Sequence, residues 1–198
     1  RYYILSVITR KWTRKMKETI EFLNAQLDRL QQSGYEVEDR DAWTNNILSY
    51  MDTIRNIESS NDPTKVNADT SAAGLYQFTP DTVPTGKNRA TRMHTNQEFV
   101  ETISDNPLEW TPDQAGLMFL AHAFGSEARE DRRGSDELFY LIGAAPDQQA
   151  KQDLYYDYHY RAAPDEKTIL RVNEFIPLLK NLGGSVTSPL YSDRRYII

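Results

Sequence analysis

The stretch IESSNDPTKVNADTSAAGLYQFTPDTV, residues 57–83, places one glutamate, Glu58, where an apolar helical pattern stops. Small polar residues follow, then a glycine turn, Gly74-Leu75-Tyr76-Gln77. Upstream, Trp43, Ile47, Tyr50, Met51, Ile54 and Ile57 recur in steps of three and four. That spacing predicts a helix that starts after Asp39 or Asp41 and stops at Ser59-Ser60-Asn61-Asp62-Pro63, a cluster of helix-ending residues. Glu58 then lies in the last turn and faces the negative end of the helix dipole. Ile57 and Phe78 would desolvate it if they flank it. Both effects disfavour the anion, the direction a general acid needs. The plain alternative is a surface glutamate at a helix end.

Working outward, Trp12, Met16, Ile20, Leu23, Leu27 and Leu30 mark one face of an earlier helix that Gly34 ends. Residues 1–40 read as one long helix packed on the domain or on a partner. Thr79-Pro80 reads as the cap and first position of a short helix. Thr95 with Glu98 makes a capping box, and Thr111, Pro112 and Gln114 make a cleaner one ahead of Leu117, Leu120, Ala121 and Phe124. Residues 61–75 and 84–94 read as loop with room for a short hairpin. Further helices are expected at 136–142, 147–160 and 165–182, with Pro177 kinking or ending the last. The resulting division is an N-terminal helical arm at 1–39, a mainly α domain at 40–182 and an extended tail at 183–198.

The 198 residues suffice for one domain with a core, with or without an arm. The net charge of -6 and the scattered basic residues speak against nucleic acid as a partner. The absence of cysteine excludes disulfides, thiol catalysis and cysteine-ligated zinc. His94, His122 and His159 lie far apart, without metal-ligand spacing. No apolar run reaches the roughly twenty residues of a membrane span. The start at Arg1 reads as a fragment or processed product.

Three short blocks carry a family resemblance. Glu58-Ser59 with Pro63, then Gly74-Leu75-Tyr76-Gln77 with Phe78, Pro80 and Thr82, then Phe119-Leu120-Ala121-His122-Ala123-Phe124-Gly125 occur in that order. The chain thereby resembles the soluble (family 1) lytic transglycosylases of the lysozyme-like superfamily. Tyr76 stands where that family has methionine. The third block is similar to the Leu-Ala-His-x-x-Gly variant of phage-virion relatives. The resemblance covers residues 57–125 and implies a lysozyme-like helical domain that cleaves the MurNAc-GlcNAc bond of peptidoglycan and forms a 1,6-anhydro sugar. It implies Glu58 as the single catalytic residue and no metal or organic cofactor. It implies glycan strands as the partner, with other virion proteins meeting the N-terminal arm and the C-terminal tail. The setting would be a phage virion acting in the host periplasm.

Individual residues keep two readings at this point. Ser59 either satisfies a loose helix carbonyl or, by resemblance, orients the glutamate or the sugar. Gln77 either stabilises its turn or hydrogen-bonds sugar hydroxyls and acetamido groups. Tyr76 and Phe78 flank it, one of them expected against a sugar ring. His122 is a core histidine or a substrate contact. Asp62 caps the turn after Glu58 or, with Asp69, is a candidate second carboxylate. Three other readings stay open: a hydrolysing lysozyme on the same scaffold, a non-catalytic virion structural module that keeps the fold, and an assembly or docking piece built on residues 1–40 with the lytic domain as passenger.

Overall fold

The helix that Gly34 was expected to end runs over Lys17–Gln32 (α1), and its stop is a Schellman motif. Gly34 has φ +92. The Tyr35 amide donates to the Leu30 carbonyl at 3.1 Å and the Gly34 amide to that of Gln31 at 3.1 Å. Orphan carbonyls of the last turn are thereby satisfied, at a position where glycine adopts the left-handed region without a Cβ penalty. The second helix covers Arg40–Ser59 (α2). Asp39 caps it, its Oδ1 accepting from the Ala42 amide at 2.9 Å. The computed structural model describes residues 16–124, Tyr140 and residues 142–144. The chain is mainly helical. The helices expected at 147–160 and 165–182, and the tail at 183–198, lie outside the described residues. So do residues 1–15 and most of 136–142, of which Tyr140 and Ile142 are helical.

Two compact units divide the chain, Arg1–Ala25 with Glu58–Gly125, and Gln26–Ile57 with Ser126–Ile198. In the second unit, Leu27, Leu30, Trp43, Ile47, Met51 and Ile54 are fully or almost fully buried, the stripe that their spacing implied. The buried Asn46 amide donates to the Gly143 carbonyl at 2.7 Å. Gly143 lies so close to the Trp43 indole that a Cβ there would collide with it.

The first unit holds the candidate site. After α2 come Thr82–Met93 (α3), Gln97–Glu101 (α4), a 3-10 turn at Pro107–Glu109 and Pro112–Phe124 (α5). Helix α3 replaces the loop expected at 84–94. Pro84 falls in its first turn, where a missing N–H forfeits no helical bond. Gly86 sits where α3 meets α5, with the Phe78 ring and the Met118 methyl close against its backbone. Close packing therefore offsets the poor helix propensity of both residues. The helix also begins later than Thr79-Pro80. The amides of Thr82 and Val83 reach back to the Thr79 carbonyl at 2.9 and 3.3 Å, so Thr79 nucleates a turn ahead of it. For α4 the cap is Asn96, one residue beyond the expected Thr95, its side chain accepting from Phe99 N.

Helix α5 starts as expected. The Gln114 amide donates to Thr111 Oγ1 at 3.2 Å and the Thr111 amide to Gln114 Oε1 at 2.9 Å, a reciprocal capping box. Burial extends beyond the expected stripe to every residue from Gln114 to Ala121, so α5 is the core helix of the unit. The start of α1 is tied to it. The backbone amides of Glu18 and Thr19 donate to the Asp113 carboxylate at 3.0 and 2.8 Å, and the Thr19 hydroxyl donates to Asp113 Oδ1 at 2.7 Å. Asp113 on α5 thus caps α1 across a gap of more than ninety positions. The buried Glu18 carboxylate also meets His94 Nε2 at 2.8 Å. This part of the N-terminal segment is therefore built into the unit.

Candidate active site

Helix α2 ends because Ser60 and Asn61 turn left-handed, at φ 57 and 62. Each such residue costs roughly 1–2 kcal/mol outside glycine, less for asparagine, whose side chain tolerates the region. The turn is closed by the Asp62 amide donating to the Ser59 carbonyl at 3.1 Å. Asp62 then accepts from the Thr64 amide at 2.8 Å and the Thr64 hydroxyl at 2.7 Å through one oxygen. This is the Asx turn that its position suggested. The bond from the Thr64 hydroxyl, then that from its amide, hold the exposed Asp62 carboxyl below its ordinary value. It stays ionised near neutral pH and serves the turn. Glu58 sits one residue before buried Ser59 and one after buried Ile57, and is itself half-buried.

Ser59 links this helix end to the glycine turn. Its hydroxyl donates to the Leu75 carbonyl at 2.9 Å, in a buried position. The turn is a small double bend. Isolated antiparallel bridges pair Val66 with Ala73 and Ala73 with Phe78. The Lys65 carbonyl accepts from the Gly74 amide at 2.9 Å and from Gln77 Nε2 at 3.1 Å. The Gln77 amide group also donates to the Gly74 carbonyl at 2.9 Å. Gly74 has φ +76, and a Cβ there would stand 2.9 Å from the Pro107 carbonyl oxygen. Its missing side chain is what lets the Pro107–Glu109 turn lie against the loop. Gln77 is left-handed as well, at φ 50, and half-buried.

This settles how Gln77 is used locally. Both hydrogens of its NH₂ are directed to backbone carbonyls, so the side chain locks the turn. Only Oε1 remains for a ligand, and an oxygen accepts rather than donates.

Tyr76 and Phe78 do not stand open beside it. Tyr76 is buried and stacks on Phe119 of α5, ring centroids 4.4 Å apart and 14° from parallel. Phe78 is buried edge-on to Trp110 at 5.1 Å and to His122 at 5.7 Å. Both rings are engaged in packing, on α5 and on the segment before it. His122 is half-buried. Burial pushes its imidazole below the ordinary value, and the Arg89 charge pushes it further. It is neutral at pH 7.

The fold therefore joins the three sequence blocks by contact. Ser59 ties the end of α2 to the turn, Tyr76 ties the turn to Phe119, and Phe78 ties it to His122. Two contributors escaped the sequence. Pro107 carried no signal beyond helix-breaking, although a glycine at 74 announces that something comes close. Arg89, whose guanidinium donates to the His122 carbonyl at 2.6 Å, sat in a segment read as loop. Among the described residues no cluster of His, Asp or Glu could hold a metal ion, and no helix is long and apolar enough to cross a membrane. No family model matches the chain, and neither a curated protein nor a solved structure does.

Proposed function

We propose that this chain is a peptidoglycan lytic transglycosylase on a lysozyme-like helical scaffold, with Glu58 as its one catalytic carboxylate. The observation that carries the reading is the buried Ser59–Leu75 bond. It seats the helix end bearing Glu58 on the glycine turn, which itself packs on the helix bearing His122. In the proposed reaction Glu58 gives its proton to the oxygen leaving MurNAc C1. It then takes the proton of the C6 hydroxyl of the same sugar as that oxygen bonds to C1. The product is a 1,6-anhydro ring, no water is consumed, and Glu58 ends with its proton restored. Intramolecular attack needs a positioned sugar rather than a second carboxylate. Asp62, the acidic residue nearest to Glu58 in sequence after it, is engaged by Thr64 in its own turn, which favours this route over hydrolysis by a carboxylate pair. The phage-like third block favours a virion protein that opens the periplasmic wall locally.

The test is digestion of purified peptidoglycan followed by mass spectrometry. Anhydro-muropeptides are the expected product, and Glu58→Gln is expected to abolish them with its circular dichroism unchanged. Reducing-end MurNAc alone would replace the transglycosylase by a hydrolase. Activity surviving in the Glu58→Gln protein would remove Glu58 from the mechanism.

A further inference from the structure

Backbone bonds fix the path from Glu58 to Gln77. The Asp62 amide donates to the Ser59 carbonyl at 3.1 Å, and the Lys65 amide donates to the Asp62 carbonyl at 3.3 Å. The Lys65 carbonyl then accepts from the Gly74 amide and from Gln77 Nε2. Lys65 is thereby held on both sides: back to the helix end that bears Glu58, and forward to the turn that bears Gln77. All of these bonds use its backbone. The residue is half-buried. Among the described residues its ammonium makes no hydrogen bond or ion pair, and only the Asp62 carboxylate lies within Coulombic reach. Lys65 is also the only lysine or arginine between Arg55 and Lys87, a stretch that carries Glu58, Asp62, Asp69 and Asp81. The cations that flank the stretch are engaged, Arg55 with Asp52 and Lys87 with Asp105 at 2.9 Å. One positive charge without an ion pair thus stands on the loop that joins the candidate acid to the glycine turn.

MurNAc differs from GlcNAc by a lactyl ether on O3, which ends in a carboxyl group. In the wall this carboxyl is either bare or joined to a peptide that carries carboxylates of its own. Either way the anion hangs on the sugar whose C1–O bond Glu58 would cleave. Resting on the peptidoglycan reading above, we propose that Lys65 is a specificity-determining residue whose ammonium pairs with that carboxylate. An anionic substituent entering this stretch otherwise meets Asp62, whose carboxyl is held low by its bonds from Thr64 and so stays charged. Lysine suits the role, because its ammonium is a compact charge on a flexible stem and can follow a substituent that itself rotates. The residues on both sides of Lys65 are exposed, so the pair forms in contact with water and selects rather than anchors. Loss of such a charge weakens binding by about two- to five-fold. Proton transfer at Glu58 is left alone, since Lys65 meets the substituent and not the reacting C1 or O6.

Lys65→Met removes the charge but keeps the stem and the carbonyl that seats Gln77, whereas Lys65→Arg keeps the charge. Peptide-bearing glycan strands are compared with strands stripped of peptide by an amidase. Each preparation is also used after carbodiimide coupling to methylamine, which neutralises its carboxylates. KM and kcat are measured in the active protein, and Kd in the Glu58→Gln background, where no turnover is needed. Lys65→Met is expected to raise KM and Kd about two- to five-fold on unmodified strands with kcat unchanged, and to alter neither on neutralised strands. Lys65→Arg is expected to match wild type. A loss on peptide-bearing strands alone identifies the peptide as the source of the carboxylate, and a loss on stripped strands identifies the lactyl group. Equal losses on unmodified and neutralised strands, a loss confined to kcat, or no loss on either unmodified preparation would overturn the proposal. Lys65→Gln takes the place of Lys65→Met if the latter does not fold. Binding that depends on the charge at residue 65, without cleavage by wild type, would sink the transglycosylase reading and leave the role of Lys65 standing. Cleavage indifferent to that charge would do the reverse.

Discussion

Gly74→Ala should be one of the most damaging single-methyl additions in the first unit, and its cost can be worked from two independent terms. The backbone at Gly74 has φ +76, which costs an alanine roughly 1–2 kcal/mol. The new Cβ would also stand 2.9 Å from the Pro107 carbonyl oxygen and 3.3 Å from the Pro107 Cβ. A backbone carbonyl cannot swing aside as a flexible side chain can, so relief requires the 3-10 turn to shift, at about 1–3 kcal/mol for overpacking. The sum is roughly 2–5 kcal/mol. Gly34 supplies the control. Its φ is +92 and nothing lies within 4 Å of a Cβ built there, so Gly34→Ala should incur only the backbone term, about 1–2 kcal/mol. Urea unfolding of wild type and both variants, with equal slopes, measures the difference directly. Gly74→Ala should exceed Gly34→Ala by about 1–3 kcal/mol, or roughly 2–10 °C in Tm for a chain of this size. Equal losses at the two glycines would refute the argument that Pro107 lies against the turn.

Other substitutions test the remaining contacts. Gln77→Ala removes two hydrogen bonds to backbone carbonyls, so it should lose about 1–3 kcal/mol of stability as well as turnover. A stability unchanged from wild type, by thermal melting, would return Gln77 to a purely ligand-facing role. Asp62→Asn keeps an oxygen for the Thr64 amide and hydroxyl, so turnover should stay close to wild type; loss as complete as that of Glu58→Gln would revive the two-carboxylate mechanism. Glu18→Gln should destabilise by roughly 1.5–3 kcal/mol at neutral pH, by weakening charged hydrogen bonds in a buried site. Burial pushes the Glu18 carboxyl up, but bonds from His94, Lys17 and Asn96 together hold it below its ordinary 4.5. A lowered folded value means that the stabilisation is present above pH 4.5 and lost as the pH falls below it. The gap between wild type and Glu18→Gln should therefore close on acidification from pH 6 to pH 3, and a gap constant with pH would show that the carboxylate is not favoured in the fold.

What the sequence determined by itself is local. Gly34 stops α1, Asp39 caps α2, Thr111 and Gln114 cap α5, and Asp62 turns the chain after Glu58, because each signal is completed within a few residues. The spacing of Trp43, Ile47 and Ile54 likewise marked a buried face, since helical periodicity needs no knowledge of the partner. The tertiary structure decided what depends on which surfaces meet. Pro84 and Gly86 read as loop by propensity, yet α3 forms because Gly86 is the place where Phe78 and Met118 come close. Tyr76 and Phe78 are marked by sequence only as neighbours of Gln77, and it is α5 and Trp110 that supply the apolar partners burying both rings. Asp113 caps a helix more than ninety positions away, and Arg89 holds the carbonyl of His122. Neither bond has a sequence signature, because a side chain and a backbone group brought together only by folding follow no spacing along the chain.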